Sequence, residues 1–139
     1  MNGEIIHAST VAIDGQGVLI IGPSGAGKSA LALQLIAFGA GLVADDRTHI
    51  TRQDDVLLAE VPEAIRGLIE ARGVGLIRLP PADPVPLVLV VDMGTVEEKR
   101  LPESHTCVLQ GVTLPCLHKV EAPHFACAIW LSLKGGFET

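Results

Sequence analysis

The segment from Gly22 to Ser29 constrains the fold of this chain more than any other feature. Its eight residues, Gly22-Pro23-Ser24-Gly25-Ala26-Gly27-Lys28-Ser29, match the phosphate-binding pattern G-x-x-x-x-G-K-[ST] at every fixed position. The apolar run 18–21 before it predicts a short buried strand, and the run 30–36 after it predicts a helix. In such a strand–loop–helix unit the loop amides and the helix N-terminus face an anion. The sequence therefore predicts a nucleotide-phosphate site, with a glycine-rich turn that binds no ligand as the alternative.

Length and charge narrow the class of protein. The 139 residues predict a single domain spanning 1–139, large enough to bury a core. A formal net charge of -6 argues against a nucleic-acid partner held through its phosphates, and an aromatic content of 3% offers little for base stacking. No apolar run approaches the ~20 residues of a membrane span and no leader pattern opens the chain, so we expect no membrane partner and a cytoplasmic location.

The three cysteines predict no metal centre of their own. Cys107, Cys116 and Cys127 form no C-x-x-C pair and have no histidine at the spacing of a zinc motif. We expect them to be buried thiols that pack as small apolar side chains.

The rest of the chain predicts a mixed α/β fold with few helices. Turn signals and apolar periodicity predict a strand over 4–13 and a helix over 28–38, which Gly39 caps and which turns Leu31, Leu35 and Phe38 toward the core. They next predict a buried strand over 42–44, a hairpin of 48–52 with 56–60 and a helical turn at 62–65. The last elements are a proline-rich loop over 80–86, a buried strand over 87–91, a hairpin of 106–109 with 112–117, and a helix over 123–134 in which Trp130 packs.

Two loop residues have clear chemical roles in this motif. Lys28 would reach the β and γ phosphates of a nucleotide, and the Ser29 hydroxyl would bind Mg²⁺. Catalysis also needs a group that takes a proton or orients water. Asp45 and Asp46 are the first candidates because they end a strand beside the loop, the alternative being a solvated pair at a hairpin entry.

Four other polar residues leave their roles open on sequence alone. Asp92 follows an apolar strand, as a Walker B aspartate does, and so competes for the metal-linked role. Glu70 and Arg72 lie among glycines and could form a metal ligand and a phosphate clamp or a surface ion pair. His7 on the first strand is by default a structural histidine.

Read in order, these residues resemble the catalytic domain of the HPr kinase/phosphorylase family. The resemblance rests on His7, the loop 22–29, the run Leu42-Val43-Ala44-Asp45-Asp46 and the run Glu70-Ala71-Arg72-Gly73-Val74-Gly75, and it covers nearly the whole chain. It implies a P-loop-containing kinase fold related to phosphoenolpyruvate carboxykinase, assembly into hexamers, and ATP- and Mg²⁺-dependent phosphorylation of a serine of the phosphocarrier protein HPr.

The resemblance also assigns roles to residues. Asp46 corresponds to the base that takes the serine proton, supported by His7 and Asp45, and Glu70 to a magnesium ligand alongside Ser29. Arg100 stands near the place of a catalytic arginine, in a loop that is shorter here. Asp92 is left with a structural or capping role at a strand end.

Some parts of the chain depart from the family. The usual amino-terminal domain and the last helices of the catalytic domain are not found in the sequence. The family's proline-glycine-arginine segment, which is associated with the reverse phosphorylase reaction, falls at 122–125 and lacks its arginine. A nucleotide-sensing regulatory module and a small-molecule kinase are therefore kept as alternative functions.

Overall fold

The structure is a computed structural model that describes residues 3–137. Its elements in chain order are β1 (Glu4–Ile6), β2 (Ala8–Ile13), β3 (Gln16–Ile21), α1 (Lys28–Phe38), β4 (Gly41–Ala44), β5 (Thr48–Gln53), β6 (Val56–Glu60), a 3-10 turn (Glu63–Ile65), β7 (Leu68–Ala71), β8 (Gly75–Arg78), β9 (Val85–Val96), β10 (His105–Leu109), β11 (Val112–Lys119) and α2 (Phe125–Gly135). No helix among the described residues is long and apolar enough to cross a membrane.

Nine of the strands form one mixed sheet built around β9. Strand β9 pairs in parallel with β3 on one side and with β11 on the other, while its first residues also pair with the end of β6. Strand β2 is antiparallel to β3, and β4 is antiparallel to β2. Strands β3 and β4 therefore point the same way and end at the same edge of the sheet, which is where β2 begins.

The two helices cover one face of this sheet. Along β3, Val18 and Ile20 point into a core shared with Leu31 and Leu35 of α1 and with Ile129 of α2, and all five are at most 3% exposed. Burying an Ile or Leu side chain of this kind contributes about 1.5–3 kcal/mol relative to leaving it exposed. This packing fixes α1, and with it the loop that precedes α1.

A second core lies on the other face. Leu19 of β3 and Val90 of β9 pack there against Ile50 and Leu57 from the hairpin of β5 and β6. Successive strand residues alternate between the two faces, so β3, with apolar side chains on both, is a fully buried strand. The predicted buried strand before the phosphate loop is confirmed.

The first predicted strand is wrong as a single element. It divides at His7 into β1, which pairs with β5, and β2, which pairs with β3 and β4. The chain bends at His7, between these two strands. The break leaves the His7 side chain 48% exposed.

Three other expectations need correction. Phe38, expected to face the core, is 45% exposed at the rim of α1 and has its ring centroid 6.1 Å from that of Trp130. The loop predicted over 80–86 ends at 84, because β9 begins at Val85 and tolerates Pro86 near its start. Strand β9 also continues past Asp92 to Val96, pairing with β11.

The cysteine expectation holds for one residue of three. Cys116 is buried, and desolvation by burial raises the pKa of its thiol to about 11. Cys107 and Cys127 are only partly buried, and all three thiols are free.

Candidate functional site

The candidate site lies at the sheet edge where β3 and β4 end and β2 begins. The phosphate loop 22–27 follows β3, the acidic pair follows β4, and His7 precedes β2. The hairpin of β7 and β8 packs beside this edge, with Ile69 fully buried. The antiparallel register of β2 with both neighbours brings residues 22–29 and 45–46 together, although they are far apart in sequence.

The phosphate loop has backbone angles that glycine favours. Gly22, Gly25 and Gly27 have φ values of 145°, 84° and 97°, in the region that other residues rarely adopt. The Lys28 side chain folds back along the loop, where its Nζ donates to the carbonyl oxygens of Gly22 at 2.7 Å and Pro23 at 3.1 Å. An ammonium has three donors, so one remains for a phosphate oxygen.

Asp45 links the loop to the rest of the edge. It is 8% exposed, and its Oδ1 accepts hydrogen bonds from Ser29 Oγ at 2.6 Å and from Ser9 Oγ at 2.9 Å. Its other oxygen, Oδ2, accepts from the backbone N–H of Glu70 at 3.0 Å. A buried carboxylate needs such donors to offset the loss of water. Asp45 therefore holds α1, β2 and β7 in one arrangement.

Asp46 faces the other way and reaches solvent. Its Oδ1 lies 2.6 Å from His7 Nε2, and the two side chains are 58% and 48% exposed. Its backbone N–H donates to Ser9 Oγ at 3.1 Å. The φ of 70° at Asp46 is unusual for a residue other than glycine. This turn directs two consecutive carboxylates differently, one into the protein and one into the cleft.

An open cleft of about 510 Å³ joins these groups. Its walls include Lys28 and Ser29 from the start of α1, Asp46 and His7 from the sheet edge, and Glu70 and Arg72 from the β7–β8 hairpin. The other lining residues are Ser24, Gly25, Gly27, Ala30, Leu33, Ala71 and Val74. A cation, a hydroxyl, a histidine and carboxylates thus line one cavity beside a helix N-terminus. That set can hold a phosphate, place a divalent cation and accept a proton.

Two candidates from the sequence lie elsewhere. Arg100 is exposed in the segment between β9 and β10 and is not among the residues that line the cleft. Asp92 accepts hydrogen bonds from Gly94 N at 2.8 Å and Thr95 Oγ1 at 3.2 Å, so its carboxylate is used locally within β9. The expected structural role of Asp92 fits this geometry, but its expected place at a strand end does not.

Ser9 is a site residue that was not predicted from the sequence. This residue is fully buried and bonds to both aspartates, donating to the Asp45 carboxylate and accepting from the Asp46 amide. The spacing of Ser9 from His7 could have indicated it. Residues 7 and 9 of a strand lie on the same side, and the family resemblance already associates His7 with the acidic pair.

Comparisons with known proteins agree with this geometry. Residues 2–81 match the family model described as HPr Serine kinase C-terminal domain, and this segment contains the loop, both aspartates and Glu70. The HPr kinase/phosphorylase of Limosilactobacillus reuteri (strain DSM 20016) is 36% identical over 131 residues, covering 85% of this chain and 40% of the relative. That of Pediococcus pentosaceus is 52% identical over 75 residues, covering 53% of this chain and 24% of the relative.

A solved structure shares the fold. The Hpr(Ser) kinase/phosphatase from Coxiella burnetii superposes with a TM-score of 0.79 at 24% sequence identity, covering 94% of both chains. The likeness confirms the predicted α/β fold of the P-loop kinase type. The chain spans at most 40% of the length of the curated relatives named above. Because the family model covers more than half of its residues, this chain belongs to the HPr serine kinase C-terminal domain family.

Proposed function

We propose that this chain is the catalytic part of a cytoplasmic, ATP- and Mg²⁺-dependent protein-serine kinase that phosphorylates HPr or a related phosphocarrier protein. The observation that carries the proposal is the hydrogen bond of 2.6 Å from Ser29 Oγ to Asp45 Oδ1. It fastens the phosphate loop to the acidic pair, so that Asp46 opens into the same cleft as the loop. The curated relatives are named HPr kinase/phosphorylase, which supplies the substrate class.

The phosphates of ATP would lie along the loop. Amides of the loop and of the first turn of α1 have no partner within the helix and would donate to phosphate oxygens. The Lys28 ammonium would add a positive charge where the transferred γ-phosphoryl group gains electron density.

Ser29 and Glu70 would hold the magnesium ion. The hydroxyl proton of Ser29 is donated to Asp45, which leaves the oxygen lone pairs of Ser29 free to bind a cation. Glu70 lines the same cleft, and a hydroxyl with one carboxylate is the kind of sparse oxygen set that Mg²⁺ accepts while keeping several waters. The ion would neutralise charge on the β and γ phosphates.

Asp46 would be the general base. As the acceptor serine oxygen attacks the γ-phosphorus, its proton passes to the Asp46 carboxylate, the bond from the γ-phosphorus to the bridging oxygen breaks, and ADP leaves. His7, at 2.6 Å from Asp46 Oδ1, would orient that carboxylate. Asp45 cannot take this role in the same geometry, because its oxygens already accept three hydrogen bonds.

Arg100 would offset charge in the transition state, as the family resemblance implies. It is exposed in the 97–104 segment, so this role requires the segment to move toward the cleft when substrates bind.

The chain is also proposed to assemble into a hexamer, for which light scattering should give six times the 14.6 kDa chain mass.

The decisive experiment incubates the purified chain with γ-labelled ATP, Mg²⁺ and the HPr protein of its host. The proposal expects label on a serine of HPr, identified by mass spectrometry of the labelled peptide. ATP binding measured by calorimetry without any phosphotransfer would favour the nucleotide-sensing module, and label on metabolites with none on HPr would favour the small-molecule kinase; either result would overturn the proposal. Incubating the phosphorylated HPr with inorganic phosphate then tests the reverse reaction.

A further inference from the structure

Away from the cleft, three side chains that can bind metals meet at the ends of β9, β10 and β11. Glu97 directly follows β9, His105 begins β10, and His118 lies near the end of β11. One ligand atom of each lies within 4.8 Å of the other two. All three residues come after residue 81, where the match to the family model ends, and none of them lines the cleft.

The pairing of β10 with β11 brings the two histidines close together. His105 is opposite Cys116 in the β10–β11 ladder, so it lies on the same face as His118, two residues further along β11. The backbone N–H of Glu97 donates to the Lys119 carbonyl at 2.8 Å, which places the glutamate beside both histidines. The β10–β11 ladder therefore positions the two histidines, and the backbone hydrogen bond to Lys119 positions Glu97 beside them.

The distances suit one small cation. Both histidines point a ring nitrogen at the same oxygen, Glu97 Oε1: His105 Nε2 at 2.8 Å and His118 Nδ1 at 3.9 Å. Ligand atoms around a tetrahedral Zn²⁺ with bonds of about 2.0–2.1 Å are roughly 3.3 Å apart. Small rotations of the side chains would bring the set to that spacing, and they would turn the two rings out of their present stack, whose centroids are 3.9 Å apart.

The surroundings favour a bound ion over a simple ion pair. The side chains of Glu97, His105 and His118 are 10%, 26% and 24% exposed, so a bound ion would be largely shielded and still open to a water ligand. Glu97 Oε2 accepts from the backbone N–H of Lys99 at 3.2 Å, which fixes the carboxylate as outer partners do in metal sites.

We propose that Glu97, His105 and His118 form a binding site for a first-row transition-metal dication. Two imidazoles and a carboxylate suit Zn²⁺ and its neighbours in the series, whereas Mg²⁺ prefers oxygen ligands alone. The site does not depend on the proposed kinase reaction.

A residue next to this site contacts the phosphate loop. Lys119, next to His118, donates from Nζ to the Ala26 carbonyl of the loop at 3.2 Å. A bound metal would fasten Glu97 and β11 together at the segment that contains Arg100. We therefore expect it to slow tryptic cleavage after Lys99 and Arg100, which are both exposed in that segment.

The test uses the whole chain, stripped of metal with a chelator, and ZnCl₂ as the probe. Calorimetry with Glu97→Gln, His105→Gln and His118→Gln should show Zn²⁺ binding weakened about tenfold or more in each variant. The matched control is His124→Gln, since His124 is exposed and its side chain makes no capping hydrogen bond at α2. Its Zn²⁺ affinity should equal that of the unaltered chain.

A second readout needs no variant. Nitrogen-15 NMR of the imidazole rings should show the Nε2 of His105 and the Nδ1 of His118 shifting together as one equivalent of Zn²⁺ is added. Ring signals that do not move, or equal Zn²⁺ affinity in Glu97→Gln and the unaltered chain, would overturn the proposal and leave an ion pair that only fastens the loop.

Discussion

At the scale of single residues, Asp46 offers a test that changes one charge and little else. Its φ of 70° lies in a region that asparagine also adopts readily, so Asp46→Asn should keep the turn. Without a carboxylate to accept the serine proton, phosphotransfer to HPr should slow about 10²- to 10⁴-fold. Single-turnover assays with labelled ATP measure this rate, and ATP affinity by calorimetry should stay within about twofold of the unaltered value.

The matched control is Asp54→Asn. Asp54 is exposed in the turn between β5 and β6 and has a φ of 57°, so the same substitution meets nearly the same backbone there. Its rate should be unchanged. If Asp46→Asn transfers phosphate as fast as Asp54→Asn, Asp46 is not the base.

Ser9 should matter for stability as well as activity. Ser9→Ala removes one donor from the buried Asp45 carboxylate and also removes the acceptor of the Asp46 backbone N–H. Asp45 keeps its bonds to Ser29 and to the Glu70 amide, and the loss of the two bonds to Ser9 should cost about 1–3 kcal/mol of unfolding free energy. Urea denaturation measures the loss. Ser132→Ala is the control, because the Ser132 hydroxyl only donates to Ile129 O in its own helix; equal losses in both variants would contradict a special role for Ser9.

At the scale of elements, the phosphate loop depends on its contact with β9. Gly22 has a φ of 145°, and a Cβ added to it would lie 3.1 Å from Gly94 N and 3.2 Å from Met93 Cβ. Because one of these neighbours is backbone, Gly22→Ala should push the loop off β9. A strain of about 1–3 kcal/mol corresponds to roughly 5- to 150-fold weaker ATP binding, measurable by calorimetry.

Gly15→Ala separates this effect from strain in general. Gly15 also has a positive φ, 75°, but a Cβ there meets nothing within 4 Å. The variant should lose some stability through the backbone and keep its ATP affinity. Equal loss of affinity in both variants would show that the contact with β9 is not what shapes the loop.

Most elements follow from local sequence, and the exceptions have a common cause. The sequence predicts the helix Lys28–Phe38 and the β5–β6 and β10–β11 hairpins because each of their apolar runs ends directly at glycine or turn residues. The β7–β8 hairpin was missed because its strands have four residues each and are separated by glycine-rich sequence. Such short strands depend on tertiary packing, here of Ile69 beneath α1, which local signals do not contain.

The residues of the candidate site also differ in how far the sequence predicts them. The loop residues could be read from a contiguous motif, and His7, Asp46 and Glu70 gained roles through the family resemblance. For Ser9 the sequence offers only its spacing from His7, because its contacts with both aspartates depend on the register of β2 with β4. Glu97, His105 and His118 follow no regular spacing in sequence, and the pairing of β11 with both β9 and β10 brings them together.

At the scale of the whole molecule, the Asp45 network couples the nucleotide site to folding. It joins the start of α1, the beginning of β2 and the β7 hairpin through one buried carboxylate. Local opening of any of these parts would therefore disturb the cleft. A ligand that binds only the closed arrangement should then stabilise the whole fold.

Mg²⁺ and ATP together should accordingly raise the midpoint of thermal unfolding. At a ligand concentration of 100 times Kd the gain is about 2.7 kcal/mol, which amounts to a rise of several degrees for a domain of this size. Lys28→Met should lose most of this rise, because it keeps the buried apolar stem and removes the charge that would face the phosphates. Lys134→Met is the control, since Lys134 pairs with Asp14 on the surface, and it should keep the full shift. A full shift in Lys28→Met as well would mean that the nucleotide does not bind at this loop.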